Sequence, residues 1–239
     1  MPGQPTPSNW PAINSHFGII DISGFPKDAY YYYAAWWRND QSVLHILPQD
    51  WNSPVPVGHA LDAVIFSAGA TVELWVNGVS LGKKPVPNMG IVRYRNVTFA
   101  PGSLKAVSWD VNGQQLANST VTTTKPAAAI VLSAEAGHAE LTADGQDTAL
   151  VRVEIQDADG SFVPSANQNI SFTIEGPGRI YGVANGDPVD HSPDKAVYRA
   201  AFKGLARVLV QASRGSPGQI VLHATADGLK GSSLTLPTH

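Results

Sequence analysis

Turn dipeptides set the rhythm of this chain. Asn77-Gly78, Pro101-Gly102, Asn112-Gly113, Asp144-Gly145, Asp159-Gly160, Lys203-Gly204 and Asp227-Gly228 separate short runs of apolar and β-branched residues. Asn-Gly and Asp-Gly supply the positive φ angles of two-residue hairpin turns, and long helices do not run through them. The chain between such turns must pair as strands. In residues 41–124 the candidate strands are 43–47, 63–67, 71–76, 79–82, 92–99, 104–111 and 115–122. Strands this short, with turns this regular, predict a β-sandwich. A plausible linker at 122–126 follows, and the pattern restarts. Residues 129–132, 150–155, 170–174, 197–202, 206–210 and 219–224 predict a second sandwich over 125–239.

Residues 1–40 read differently. Asp28-Ala29-Tyr30-Tyr31-Tyr32-Tyr33-Ala34-Ala35-Trp36-Trp37-Arg38 holds no Gly or Pro, and its acid and base stand at the ends that suit a helix dipole. One helix is expected. Its rings surround the cylinder, so it needs neighbours on several sides. We expect Trp36 and Trp37 to fold down on the strand at 43–47. The rings left uncovered along residues 30–37 would then support a weak homodimer.

Composition narrows the function classes. Hydrophobic residues at 43% and charged ones at 15% exclude wholesale disorder. A net charge of −3 and a pI near 6.1 give no footprint for nucleic acid. No apolar run approaches the ~20 residues of a membrane helix. The chain has no cysteine, hence no disulfide, thiol nucleophile or zinc–thiolate site. Residues 1–9 carry no signal-peptide pattern, and the compartment stays open. Residues 41–124 are net +1 and 126–239 net −4, which reads as two solvated surfaces.

A longer pattern then emerges. Trp10-Pro11, Ser15-His16-Phe17-Gly18-Ile19-Ile20-Asp21, Gly24-Phe25-Pro26-Lys27-Asp28, Tyr31-Tyr32-Tyr33 and Trp36-Trp37 stand in order. Val43-Leu44-His45-Ile46-Leu47-Pro48, Val72-Glu73-Leu74-Trp75-Val76-Asn77-Gly78, Asn185-Gly186-Asp187-Pro188 and Ala201-Phe202-Lys203-Gly204-Leu205-Ala206 continue it. Together they resemble the C-terminal region of glycoside hydrolase family 2 enzymes of the β-galactosidase type. The resemblance implies an all-β chain of two tandem immunoglobulin-like sandwiches, 41–124 and 125–239, preceded by a helical remnant of a (β/α)8 barrel in 1–40. Family members are retaining glycosidases, often periplasmic or secreted. Their two catalytic glutamates lie on earlier barrel strands. The glutamates here, Glu73, Glu135, Glu140, Glu154 and Glu175, stand in none of the family's Asn-Glu pairs. We therefore expect no catalytic residue, no metal, no cofactor and no turnover by this chain alone.

Carbohydrate, a galactoside by resemblance, is the expected partner. Trp10 matches an aromatic that lines the sugar pocket in related barrels, where a ring stacks on the apolar face of galactose. Trp51, Trp75 and Trp109 could form a platform. Trp109 shares strand phase with Val107 and Val111 and reads as core, whereas Trp75 shares phase with Glu73 and faces outward. Asn185 and Asp187 belong to a polar loop with Asp190, His191 and Asp194 that can hold a sugar or a cation, though bracing turns is the favoured role for the Asn185 and Asp187 side chains. Asp157-Ala158-Asp159-Gly160 reads as a hairpin turn rather than a calcium loop, because the later ligands are missing. The histidines form no H-E-x-x-H cluster, and no G-x-S-x-G elbow is present. A stand-alone glycosidase built on sandwich carboxylates and a pure protein-interaction module are the competing readings.

Overall fold

The computed structural model describes residues 10–13, 17–38, 40–52, 55–88, 91–137 and 139–239. The leader at 1–9 and the Ser15-His16 pair lie outside them. The chain forms two compact units. One is Pro26–Thr124. The other combines Lys125–His239 with the described residues up to Phe25, so the N-terminal segment is divided between the units at Phe25–Pro26.

The Pro26–Thr124 unit opens with α1 (Asp28–Trp37). Residues 28, 31, 32 and 35 recur at helical spacing and make its inner face. Asp28 meets the His45 ring nitrogen at 2.9 Å, Tyr31 stacks on that ring at 4.0 Å, and Tyr32 meets Phe66 edge-on at 5.4 Å. Ala35, on the same face, is buried. The same spacing turns Tyr33 and Trp37 outward, where they pack on each other at 4.7 Å. Trp37 is 69% exposed. This corrects the expectation for Trp37 alone: Tyr31 of the N-terminal half meets the first strand, while Trp36 stays half-buried, its ring 6.4 Å from that of Tyr32.

Seven strands follow, β1 (Leu44–Leu47), β2 (Ala60–Ser67), β3 (Thr71–Val76), β4 (Val79–Pro85), β5 (Val92–Thr98), β6 (Ser103–Trp109) and β7 (Gln115–Thr122). They form a three-stranded sheet in the order β1-β2-β5 and a four-stranded sheet in the order β4-β3-β6-β7. Ile46, Ile65, Leu74, Leu104 and Tyr94 fill the space between them. Trp51 is fully buried there, its indole N–H donating to the Ala100 carbonyl at 3.1 Å. Asn77 and Gly78 both take positive φ, 50° and 81°, as the β3–β4 hairpin requires.

Trp109 corrects its sequence reading. Leu74 pairs with Ala106 and Val76 with Leu104, so that set faces the core. Val107 and Trp109 therefore lie on the outer face with Glu73 and Trp75. Both faces of β6 are apolar, and only the cross-strand register decides between them.

The second unit holds β8 (Ala127–Ala134), β9 (Thr148–Asp157), β10 (Asn169–Glu175), β11 (Gly178–Ala184), β12 (Tyr198–Ala200), β13 (Leu205–Ala212), β14 (Gly218–Thr225) and β15 (Ser232–Thr238). Its sheets run β11-β13-β9-β8 and β12-β10-β14-β15. Val151, Val153, Ile155, Phe172, Val208 and Leu222 are among the buried residues between them. The described residues thus form two tandem β-sandwiches with one short helix. Asp157 closes the β9 turn by accepting from the Asp159 and Ser161 amides, both at 2.9 Å. It also takes the Lys125 amide at 2.8 Å, and these backbone donors, Lys125 and Ser161 first, lower its pKa.

Residues leading to Phe25 lie on the β11-β13-β9-β8 sheet. Arg152 and Arg207 stand directly opposite each other on β9 and β13, a like-charge pairing that disfavours the sheet. Phe25, 3% exposed, offers its ring to both guanidinium groups, at 4.3 Å from Arg207 and 5.5 Å from Arg152. Glu154 pairs with Arg152 at 2.7 Å. Glu135 lies 3.0 Å from Arg207, an ion pair by distance without hydrogen-bond alignment.

Candidate functional site

The loop at 185–195, between β11 and β12, is built around one guanidinium. Arg199 sits at an inward position of β12, opposite the buried Ile170, and is only 2% exposed. A buried cation demands partners. Its Nη1 meets Asp190 at 3.0 Å, and its Nη2 meets Asp194 at 2.8 Å and the carbonyls of Val183 and Pro193 at 3.0 and 3.1 Å. Burial pushes the Asp190 carboxyl up, but donors from Ser192, Arg199 and Asn185 together hold it well below the usual carboxylate range.

Asn185 is 4% exposed and engaged within the loop. Its amide nitrogen donates to Asp190 and to the Ala200 carbonyl, at 2.7 and 2.9 Å, and its oxygen accepts from the Asp187 amide at 3.0 Å. Asp187 in turn accepts from the Val189 amide at 3.0 Å. One Asp187 oxygen braces the turn, and its side chain is half-buried at the edge of a cavity. Gly186 between them admits no side chain, because a Cβ there would overlap the Asp21 carboxylate. Asp21 itself is fixed by the Ser23 and Phe25 amides, both at 2.9 Å.

The same loop meets the start of the described chain. The Ile13 amide donates to the Pro188 carbonyl at 2.7 Å. The His191 Nε2 lies 2.8 Å from the Pro11 carbonyl oxygen, a distance at which the Nε2-protonated ring donates. The Trp10 ring stacks on His191 with centroids 4.4 Å apart and remains 82% exposed. Of the four sequence-predicted residues, Trp10, Asn185 and Asp187 therefore belong to one neighbourhood. Trp75 belongs to the other unit. There its ring lies 6.2 Å from that of Trp109, which the Lys83 ammonium covers at 3.6 Å. Trp51 is absent from that pair because it is core.

Beneath the loop lies a cavity of about 460 Å³. Ile13, Ile22, Ser23, Tyr181, Asp187 and Arg199 are among its lining residues. Sequence reasoning missed Arg199 and Ser23. An arginine at the inward phase of a three-residue strand was a usable signal for the first. Nothing local marked the second.

Two family profiles cover much of the chain. "Glycoside hydrolase family 2 C-terminal domain 5" matches residues 132–235, and a domain of unknown function, DUF4982, matches residues 58–117. The β-galactosidase BoGH2A of Bacteroides ovatus is 39% identical over 98% of this chain, which spans 27% of that protein. A β-glucuronidase of Formosa agariphila is 32% identical over 92% of this chain and 22% of its own length. A β-glycosidase structure from Bacteroides vulgatus superposes with a TM-score of 0.87 at 29% identity, over 96% of this chain and 29% of that one. The chain thus spans about a quarter of the length of these relatives. Matches that run through both sandwiches, in proteins that extend far beyond them, show that this chain belongs to glycoside hydrolase family 2 as part of its C-terminal accessory region.

Proposed function

We propose that this chain supports catalysis in a β-galactosidase-like glycosidase by holding Trp10 for a sugar whose chemistry is done elsewhere in the enzyme. The carrying observation is the Trp10 ring, stacked on His191 and tied through Pro11 to the same imidazole. A ring braced on one face keeps its other face for the apolar side of a pyranose. The carboxylates of the sandwiches do not favour a stand-alone glycosidase. Retaining hydrolysis needs two carboxyls about 5 Å apart with different protonation. Glu154 and Glu135 are paired with separate arginines, Glu175 faces His223 at 3.6 Å, and Glu73 accepts from Ser80 at 2.5 Å.

The test exchanges the matching portion of BoGH2A for this chain. The chain alone is expected not to hydrolyse a chromogenic β-galactoside, while the chimera does. His191→Ala in the chimera is expected to raise KM several-fold with a smaller change in kcat. Turnover by the isolated chain that is lost on mutating one of its own carboxylates refutes the proposal. So does a folded chimera in which His191→Ala changes nothing.

A further inference from the structure

We propose that Asn112 is a site of spontaneous covalent modification, a deamidation that the fold permits there and suppresses at the two other Asn-Gly pairs of the chain. The pairs are Asn77-Gly78, Asn112-Gly113 and Asn185-Gly186. The only co-reactant is water. The glycine amide nitrogen gives its proton to solvent and attacks the carbonyl carbon of the Asn side chain. One C–N bond forms, the bond to the side-chain nitrogen breaks, and that nitrogen takes a proton from solvent and leaves as ammonia. Water then opens the cyclic imide at either carbonyl, giving an aspartyl residue or its isoaspartyl isomer. Glycine suits the first step, because no Cβ obstructs the approach and its backbone turns easily. The fold decides whether the Asn amide can swing onto that nitrogen.

Two of the three amides are held at both ends. The Asn77 oxygen accepts from the Ser103 amide at 2.6 Å, and its nitrogen donates to the Pro101 carbonyl at 3.1 Å. Asn185 is buried, with its nitrogen on Asp190 and the Ala200 carbonyl and its oxygen on the Asp187 amide. Asn112 differs. It is exposed in the β6–β7 turn, and its side-chain nitrogen lies 3.5 Å from the Asp110 carboxylate, beyond the about 2.7–3.2 Å of a good bond. Its side-chain oxygen has no partner among the described residues. The Gly113 N–H meets the Asp110 carbonyl at 3.2 Å, a long contact that opens readily. The product matters because one Asp110 oxygen accepts both the Asn112 and Gln114 amides, at 2.9 and 2.8 Å. Deamidation sets a second carboxylate beside that one, and like charges repel. The isoaspartyl form also lengthens the main chain between those two amides. Either product loosens the turn into β7, an edge strand of its sheet.

The experiment ages the full chain in mildly alkaline buffer made with oxygen-18 water and follows each Asn-Gly pair by peptide mapping and mass spectrometry. Position 112 is expected to lose ammonia and take up the label at least tenfold faster than positions 77 and 185. In urea the three are expected to react within a few-fold of one another, because only the fold distinguishes them. Asn112→Gln, whose longer side chain closes the ring poorly, is expected to abolish the change at that position with unchanged circular dichroism. Hydrogen exchange at the Gln114 amide is expected to quicken in the modified fraction. Modification at position 77 or 185 as fast as at 112 in the folded chain overturns the inference. So does an unmodified position 112, or the same order of rates in urea as in the folded chain. Unchanged exchange at Gln114 in the modified fraction overturns the loosening of the turn.

Discussion

Arg199 makes two ion pairs, and geometry and burial rank them in opposite orders. The contact to Asp194 is the shorter, 2.8 Å against 3.0 Å for Asp190. Yet the Asp194 side chain is 87% exposed and the Asp190 side chain 13%. A solvent-exposed partner is screened, so Asp194→Asn is expected to cost under about 1 kcal/mol. Removing the cation leaves the buried Asp190 carboxylate with only the Ser192 and Asn185 donors and no counter-charge, so Arg199→Met is expected to cost about 3–5 kcal/mol. For a unit of this size that is a fall of roughly 10–20 °C in its unfolding midpoint. The pH dependence follows from the depressed Asp190 pKa. A carboxylate with a lower pKa in the folded state contributes stability above the unfolded value, about 4, and loses it as pH falls further. Without Arg199 the folded pKa rises, so the deficit of Arg199→Met is largest at neutral pH and narrows below about pH 4. Scanning calorimetry at pH 7 and pH 3.5 on both variants reads all of this. Equal losses for Asp194→Asn and Arg199→Met, or a deficit that grows on acidification, would refute the burial argument.

Other outcomes follow from the same contacts. Gly186→Ala should destabilise by more than 1 kcal/mol through its clash with Asp21, and Asp21→Ala should relieve part of that loss in a double-mutant cycle read by urea unfolding. Phe25→Ala should expose the amides of Asp21 and Gly24, whose bonds to the Phe25 and Asp21 carbonyls are 2.9 and 3.1 Å; unchanged hydrogen exchange there would rule out the Phe25 anchor. Trp37→Glu tests the weak homodimer proposed for the helix, since that side chain is 69% exposed: sedimentation should show concentration-dependent association in the parent chain only, and a monomeric parent ends the proposal.

The first sandwich was legible because each of its seven strands is bounded by a turn signal that works locally. The second hid two strands. In β11 the glycines at 178 and 182 interrupt the alternation, and the sheet itself shifts register between Ile180 and Gly182. In β15, Pro237 argues against a strand, but it lies on the edge strand of its sheet, where the missing N–H is tolerated. Trp109 was misread because both phases of β6 are apolar and its partner strand makes the choice. Of the candidate site, the 185–194 polar group was visible as a cluster. The role of His191 beneath Trp10 was not, because the two rings stand about 180 residues apart. Ser23 and Arg199 meet on one cavity only through the tertiary fold, which no periodicity records.

The joining of Phe25 to the Lys125–His239 unit has a consequence for synthesis. Phe25 leaves the ribosome about 180 residues before Arg207, the cation on which it finally rests. At ~5–20 residues per second the wait is roughly 10–35 s. During that interval Pro26–Thr124 emerges as one uninterrupted stretch and can complete its own sandwich before the strands that hold Phe25 are made. Pro26–Thr124 is therefore positioned to fold ahead of the unit that takes up Phe25. The aromatic anchor at Phe25 is a latch set by β9 and β13, strands made only after the middle unit is complete.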